Sequence, residues 1–130
     1  MTYSGARLLL VNDSATRAAL RRGLLRVGMT LLDEAGDGEA ALELLETRRY
    51  DLLISNWLMP RMSCVELLRQ ARQRLGLTDL PVLVAGGVLT RVHVLQAAAA
   101  GVSGFLAPPF TPAMLEEKLR RCLAPQASGG

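Results

Sequence analysis

Five times along this chain of 130 residues, a short strand-like segment gives way to a stretch whose apolar residues recur every three or four positions. Residues 7–11 are the first run, almost wholly apolar, which is the pattern of a strand covered on both faces. Asn12 and Asp13 end it. Ser14 is placed to cap a helix in which Leu20, Leu24 and Val27 share one face, and Gly28 stops that helix. Residues 30–34 read as a second strand. Ala35-Gly36-Asp37-Gly38 is turn chemistry, and Asp37 caps a helix over 39–48 with Ala41, Leu44 and Leu45 inward.

Residues 52–55 make the third strand, which runs through Asn56 into a loop around Met59-Pro60-Arg61-Met62. A helix over 64–75 follows, with Val65, Leu68, Ala71 and Leu75 on its repeating face. The fourth strand is 81–85. Gly86-Gly87 breaks it, Thr90 caps a helix over 92–100 that is apolar on most sides, and Gly101 ends that helix. Phe105 lies in a short fifth strand. Pro108-Pro109 forces a turn, and Thr111 with Pro112 opens a last helix buried along Leu115, Leu119, Cys122 and Leu123.

Alternation of strand and helix predicts an α/β fold, a doubly wound (βα)5 sandwich whose five parallel strands are joined by right-handed crossovers. Periodicity does not order the strands. Two opposite winding directions would nevertheless set the ends of strands one and three side by side, and Asn12, Asp13 and Asn56 would meet there. In such sheets chemistry gathers at the carboxyl end of a central strand. The residue at that point is an amide, Asn56.

Composition narrows the field without naming a function. Residues 7–123 suffice for one core, flanked by a tail at 1–6 and a small, polar linker or tail at 124–130. No apolar run reaches the ~20 residues of a membrane span, and no secretion signal opens the chain, so a cytoplasmic location is expected. Cys64 and Cys122 fit neither a zinc spacing nor a disulfide framework. Of the fifteen basic residues, Lys118 is the only lysine. Arg17, Arg21, Arg22 and Arg26 could form a phosphate-facing patch. Without accompanying aromatics they read as a solvated face, so nucleic acid is not the expected partner.

Taken together, the motifs resemble those of the receiver domains of bacterial response regulators, the CheY-like family with a flavodoxin-like fold and strand order 2-1-3-4-5. The resemblance spans about residues 7–123. It rests on Val11-Asn12-Asp13-Ser14, the segment 35–42, the segment 51–66, Leu80-Pro81-Val82, the segment 100–106 and Pro109-Phe110-Thr111. It implies a phosphoacceptor aspartate at Asn56, two Mg²⁺-binding acids at Asn12 and Asp13, a lysine at Pro108, a switch hydroxyl at Gly86 and its aromatic partner at Phe105. The loop after strand one looks a residue short, and an alternative alignment would put Val11 and Asn12 at the acidic positions. Phe105 matches; the amide, the lost acid, the lost lysine and the lost hydroxyl do not. The resemblance further implies a cis bond before Pro109.

An asparagine ending a strand commonly just caps a turn. Four coincident departures instead imply a degenerate receiver: no enzyme, no cofactor, weak or absent Mg²⁺ binding with Asp13 as the one candidate ligand, and signalling independent of phosphorylation. Its partners would be signalling proteins, with a homodimer as one option, docking on helix four, strand five and helix five through Val88, Leu89, Arg91, Leu95, Phe105, Ala107 and Lys118. A phosphorylatable receiver, an engineered Asp-to-Asn variant of one and a ligand-sensing module using the emptied pocket stay open as alternatives. His93, the single histidine, reads as packing and not as a phosphohistidine, and Trp57 reads as a shield over the site loop.

Overall fold

A computed structural model of the chain describes residues 5–59, 61–86 and 90–123. Most of the expected tails, together with Val88 and Leu89 of the expected interaction face, lies outside them. The parallel sheet is built from β1 (Arg7–Val11), β2 (Leu31–Ala35) and β3 (Leu52–Ser55), then, after a small hairpin of β4 (Leu58–Met59) and β5 (Met62–Ser63), from β6 (Val82–Ala85) and β7 (Gly104–Leu106). Its order is β2-β1-β3-β6-β7, which is the expected 2-1-3-4-5 with the hairpin strands interposed in the count. The helices are α1 (Ser14–Arg26), α2 (Gly38–Thr47), α3 (Cys64–Arg69), α4 (Arg91–Ala100) and α5 (Pro112–Cys122).

Strand side chains alternate between two faces, so each strand feeds two cores. Leu9, Val11, Leu53, Val82 and Val84 pack in one cluster with residues of α2, α3 and α4. Leu8, Leu10, Leu52, Ile54 and Leu83 pack in the other with α1 and α5. Burial on both faces explains the apolar runs of β1, β3 and β6, whereas the edge strand β2 is half-buried and carries Asp33 and Glu34.

Several local expectations shift. Asp13, not Ser14, caps α1: its carboxylate accepts from Thr16 N at 2.9 Å, and Ser14 becomes the first helical residue. An ionised cap suits the positive end of a helix better than a hydroxyl. In α2 the buried stripe is Gly38, Ala41, Leu42 and Leu45, a regular three-four repeat that leaves Leu44 only partly covered. The helix expected over 64–75 continues beyond Arg69 as a π-helical turn, Gln70–Arg74, and Arg72 there donates to the carbonyls of Leu77 and Leu80 at 2.6 and 2.7 Å. No periodicity announces the hairpin, because two-residue strands are too short to show one. Asp37, Thr90 and Thr111 cap α2, α4 and α5, and Gly101 closes α4 at φ 94°.

Away from the site, Asp33 gathers Tyr50 Oη at 2.6 Å and Arg48 Nη1 at 3.0 Å. The Tyr50 hydrogen bond, with Arg48 adding to it, holds the Asp33 carboxyl below its ordinary range, while burial and the same contact push the Tyr50 phenol up to about 12. A carboxylate depressed on folding stabilises the protein above its unfolded pKa and loses that contribution as pH falls. Tyr50→Phe is therefore expected to cost roughly 1 kcal/mol at pH 7 and less near pH 3. Urea melts at the two pH values check it.

Candidate functional site

Because β1 and β3 are neighbours, with Val11 opposite Ser55, the residues that follow them emerge together at the carboxyl edge of the sheet. Asn56 N donates to Val11 O at 3.0 Å, which extends the ladder by one bond and fixes where its side chain begins. Asn12 is 1% exposed, and its Nδ2 donates to Asn56 Oδ1 at 2.7 Å and to Ala85 O at 3.3 Å. Asn56 Nδ2 in turn donates to Asp13 Oδ2 at 3.1 Å. The three residues expected to meet form one directed chain of hydrogen bonds.

Asp13 sets the direction of that chain. A carboxylate only accepts, so the Asn56 nitrogen must face it, and the Asn56 oxygen then faces Asn12. Turning Asn12 over would set its oxygen 2.7 Å from Asn56 Oδ1 in exchange for a 3.3 Å contact of its nitrogen with Ile54 O and a 3.2 Å contact of its oxygen with Asn56 N, which already donates to Val11 O. That exchange is unfavourable while Asp13 is ionised. Hydrogen bonds from the Thr16 amide and then from Asn56 hold the Asp13 carboxyl below its usual range. Thr16 was not among the expected site residues; Asp13 is a residue type that favours helix starts, but Ser14 beside it is another, and the spacing to Thr16 does not choose between them.

The other expected positions lie around this chain without joining it. A Cβ added at Gly86 would stand 3.3 Å from Asn56 Oδ1, so the gap between β6 and Asn56 is already narrow. Phe105, opposite Val84 on β7, is partly buried against the α2, α3 and α4 side of the core. Pro108 lies exposed in the turn after β7, and the Pro108-Pro109 peptide is cis. Lys118 approaches Gly104, where an added Cβ would lie 3.7 Å from its Nζ. Gly104 begins β7, two strands across and two residues back from the Asn56 level, roughly 12 Å away by strand spacing and rise.

Mg²⁺ prefers six oxygens in a near-octahedral shell, usually with more than one carboxylate or phosphate contributing charge. The single carboxylate here, Asp13, already accepts from Thr16 N, Thr16 Oγ1 and Asn56 Nδ2. Asn12 is buried and engaged. These residues do not fit the ion, and among the described residues no three of His, Cys, Asp and Glu converge anywhere.

Trp57, 8% exposed, belongs to the core cluster and stacks on His93 of α4 with ring centroids 5.2 Å apart at 31°. His93 also completes the α4 cap, with Thr90 N donating to its Nδ1 at 3.4 Å. The site loop is thus joined to α4 by a contact between two residues that the sequence placed separately. Below the loop, Cys64 is buried, and that burial raises its thiol to about 11, outside the range of a reactive thiolate.

Similarity to known proteins agrees with this geometry. Residues 8–120 match the response regulator receiver domain family. The chain is 38% identical over 116 residues to the chemotaxis protein CheY of Pseudomonas aeruginosa, covering 88% of this chain and 94% of that protein. Among solved structures, a putative response regulator from Chloroflexus aurantiacus superposes with a TM-score of 0.83 at 28% identity, covering 92% of this chain and 98% of the other. The signal receiver domain of a histidine kinase from Syntrophus aciditrophicus gives 0.79 at 27% identity, with 94% and 92% covered.

Proposed function

The chain belongs to the response regulator receiver family, and from that premise we propose that it works as a phosphorylation-independent protein-interaction module in two-component-type signalling. One observation carries the reading. The atom that would have to attack a phosphoryl donor is an amide oxygen already accepting from Asn12 at 2.7 Å, with one carboxylate beside it and the only lysine elsewhere. An amide oxygen is a far weaker nucleophile than a carboxylate, and among the described residues no lysine stands beside Asn56 to offset the charge of the incoming phosphoryl oxygens.

The partner surface in this reading is the α4, β7 and α5 face. Val92 and Leu95 on α4 are 60% and 59% exposed, large apolar side chains left uncovered among the described residues. Arg91 and Ala107 are exposed, and Lys118 and Phe105 half-buried, on or beside these elements. A signalling protein or a second copy of the chain would cover it. The narrow gap between Gly86 and Asn56 weighs against the alternative of a small-molecule sensor in the emptied pocket.

Incubation with acetyl phosphate, or with beryllofluoride, in the presence of Mg²⁺ tests the proposal. The expected result is no covalent adduct by intact-mass measurement and no change in Trp57 fluorescence or in amide shifts around Asn56. Stoichiometric labelling would overturn it.

A further inference from the structure

One ring, that of His93, serves two partners at once. Its Nδ1 accepts from Thr90 N at 3.4 Å while the His93 amide donates to Thr90 Oγ1 at 3.1 Å, the reciprocal pair that opens α4. The same ring stacks on Trp57 at 5.2 Å, and Trp57 O accepts from Cys64 N at 2.9 Å, so the indole is fixed between Asn56 and α3. Accepting at Nδ1 requires that nitrogen to carry no proton. His93 is the only histidine of the chain, and it stands half-buried in the wall of an open cleft of about 670 Å³.

No carboxylate among the described residues around the ring is free to hold an imidazolium. Trp57, Ser63 and Val65 line the same cleft and carry no charge. Glu66 of α3 is taken up by Arg69 and Gln70, and Arg61 of the hairpin pairs with Asp37. β6 and β7 have no charged residue, and on α4 itself the exposed Arg91 lies two positions before the ring.

We infer that His93 is a proton-operated link between the site loop and α4, in which protonation takes the ring off the Thr90 cap and leaves it on Trp57. The two contacts respond oppositely to charge. An imidazolium donates at both nitrogens, so Nδ1 would set a proton against the Thr90 N–H, and its charge opposes the positive end of the helix. Against the indole face the same charge is attracted. The neutral ring therefore serves both partners, and the charged ring serves Trp57 alone. What loosens as pH falls is the first turn of α4, residues 91–94, which carries the exposed Val92. The link needs no partner protein; only its consequence for docking rests on the α4 face proposed above.

An NMR titration of the intact protein from about pH 8 to about pH 5, the range in which histidine ordinarily changes charge, tests the link. The His93 ring, the Thr90 amide and the Trp57 indole are expected to move along one curve. Amide exchange over residues 91–94, corrected for its intrinsic pH dependence, should quicken about fivefold in the acid form, while contacts between the two rings persist. His93→Gln still closes a capping box but does not titrate, so it should abolish the shared transition and leave α4 intact. His93→Phe keeps a ring on Trp57 without the acceptor, and should show the faster exchange already at neutral pH. A His93 titration that leaves Thr90 unmoved, a transition that survives in His93→Gln, or loss of the ring contacts with Trp57 on acidification would each overturn the inference.

Discussion

An Asn56→Asp variant is expected to lose roughly 1–3 kcal/mol of stability at neutral pH and still to take up no phosphoryl group. The new carboxylate would keep the hydrogen bond from Asn12 through one oxygen, but its other oxygen would occupy the position from which Asn56 Nδ2 now donates to Asp13 Oδ2 at 3.1 Å. A favourable contact becomes a like-charge pair, and Lys118, next to Gly104, is too distant to relieve it. The two acids then titrate as a coupled pair with one pKa raised above its unfolded value. A raised carboxyl pKa places the penalty at high pH: it is small below about pH 4, where the pair shares a proton, and grows as pH rises through the folded pKa. Asp13 in the unmodified protein has the opposite sign, its carboxyl being depressed by Thr16 and Asn56. Urea melts of both proteins at pH 4 and pH 7 decide the matter, and equal destabilisation at the two pH values would sink the like-charge account.

Leu53→Ala is expected to cost about 2–5 kcal/mol, the largest effect of any substitution considered. Leu53 lies at the centre of the sheet with Leu9 opposite on β1 and Val82 opposite on β6, and it is fully buried in the cluster beneath α2 and α3. Truncation removes its transfer free energy and leaves a cavity walled by strands that are hydrogen-bonded on both sides and cannot collapse into it. Leu25→Ala on exposed α1 serves as the matched control and should change stability by less than about 0.5 kcal/mol. Comparable losses for the two leucines in chemical denaturation would contradict the assignment of the core.

How much of this was legible follows from which interactions are local. Strand runs, caps and helix stops depend on neighbours within four residues, which is why Asp37, Thr90, Gly101, Thr111 and Pro112 read correctly. Asp13 was read as a site acid and proves also to be the cap of α1, because a carboxylate followed by Ser and Thr offers two candidates and only geometry selects one. The π-helical turn after Arg69 is held by Arg72 reaching the carbonyls of Leu77 and Leu80, a contact no helical periodicity encodes. The stacking of Trp57 on His93 joins residues 36 positions apart. Charge on α1 was visible as four arginines, but which of them are neutralised depends on where β2 places Glu34, which pairs with Arg17 and Arg21.

Residue order alone determined the α/β class, the order of the elements and the chemical poverty of the site, since an amide at 56, an amide at 12 and a proline at 108 hold whatever the fold. Tertiary structure alone decided how those residues are used. Parallel pairing of β1 with β3 brings Asn12 and Asn56 to 2.7 Å, the negative charge on Asp13 then orients both amides, and the register of β7 leaves Lys118 beside Gly104. The physical reason is the range of each effect: propensity and capping act within a turn of chain, whereas hydrogen-bond direction and charge pairing act across strands that only the folded sheet sets side by side.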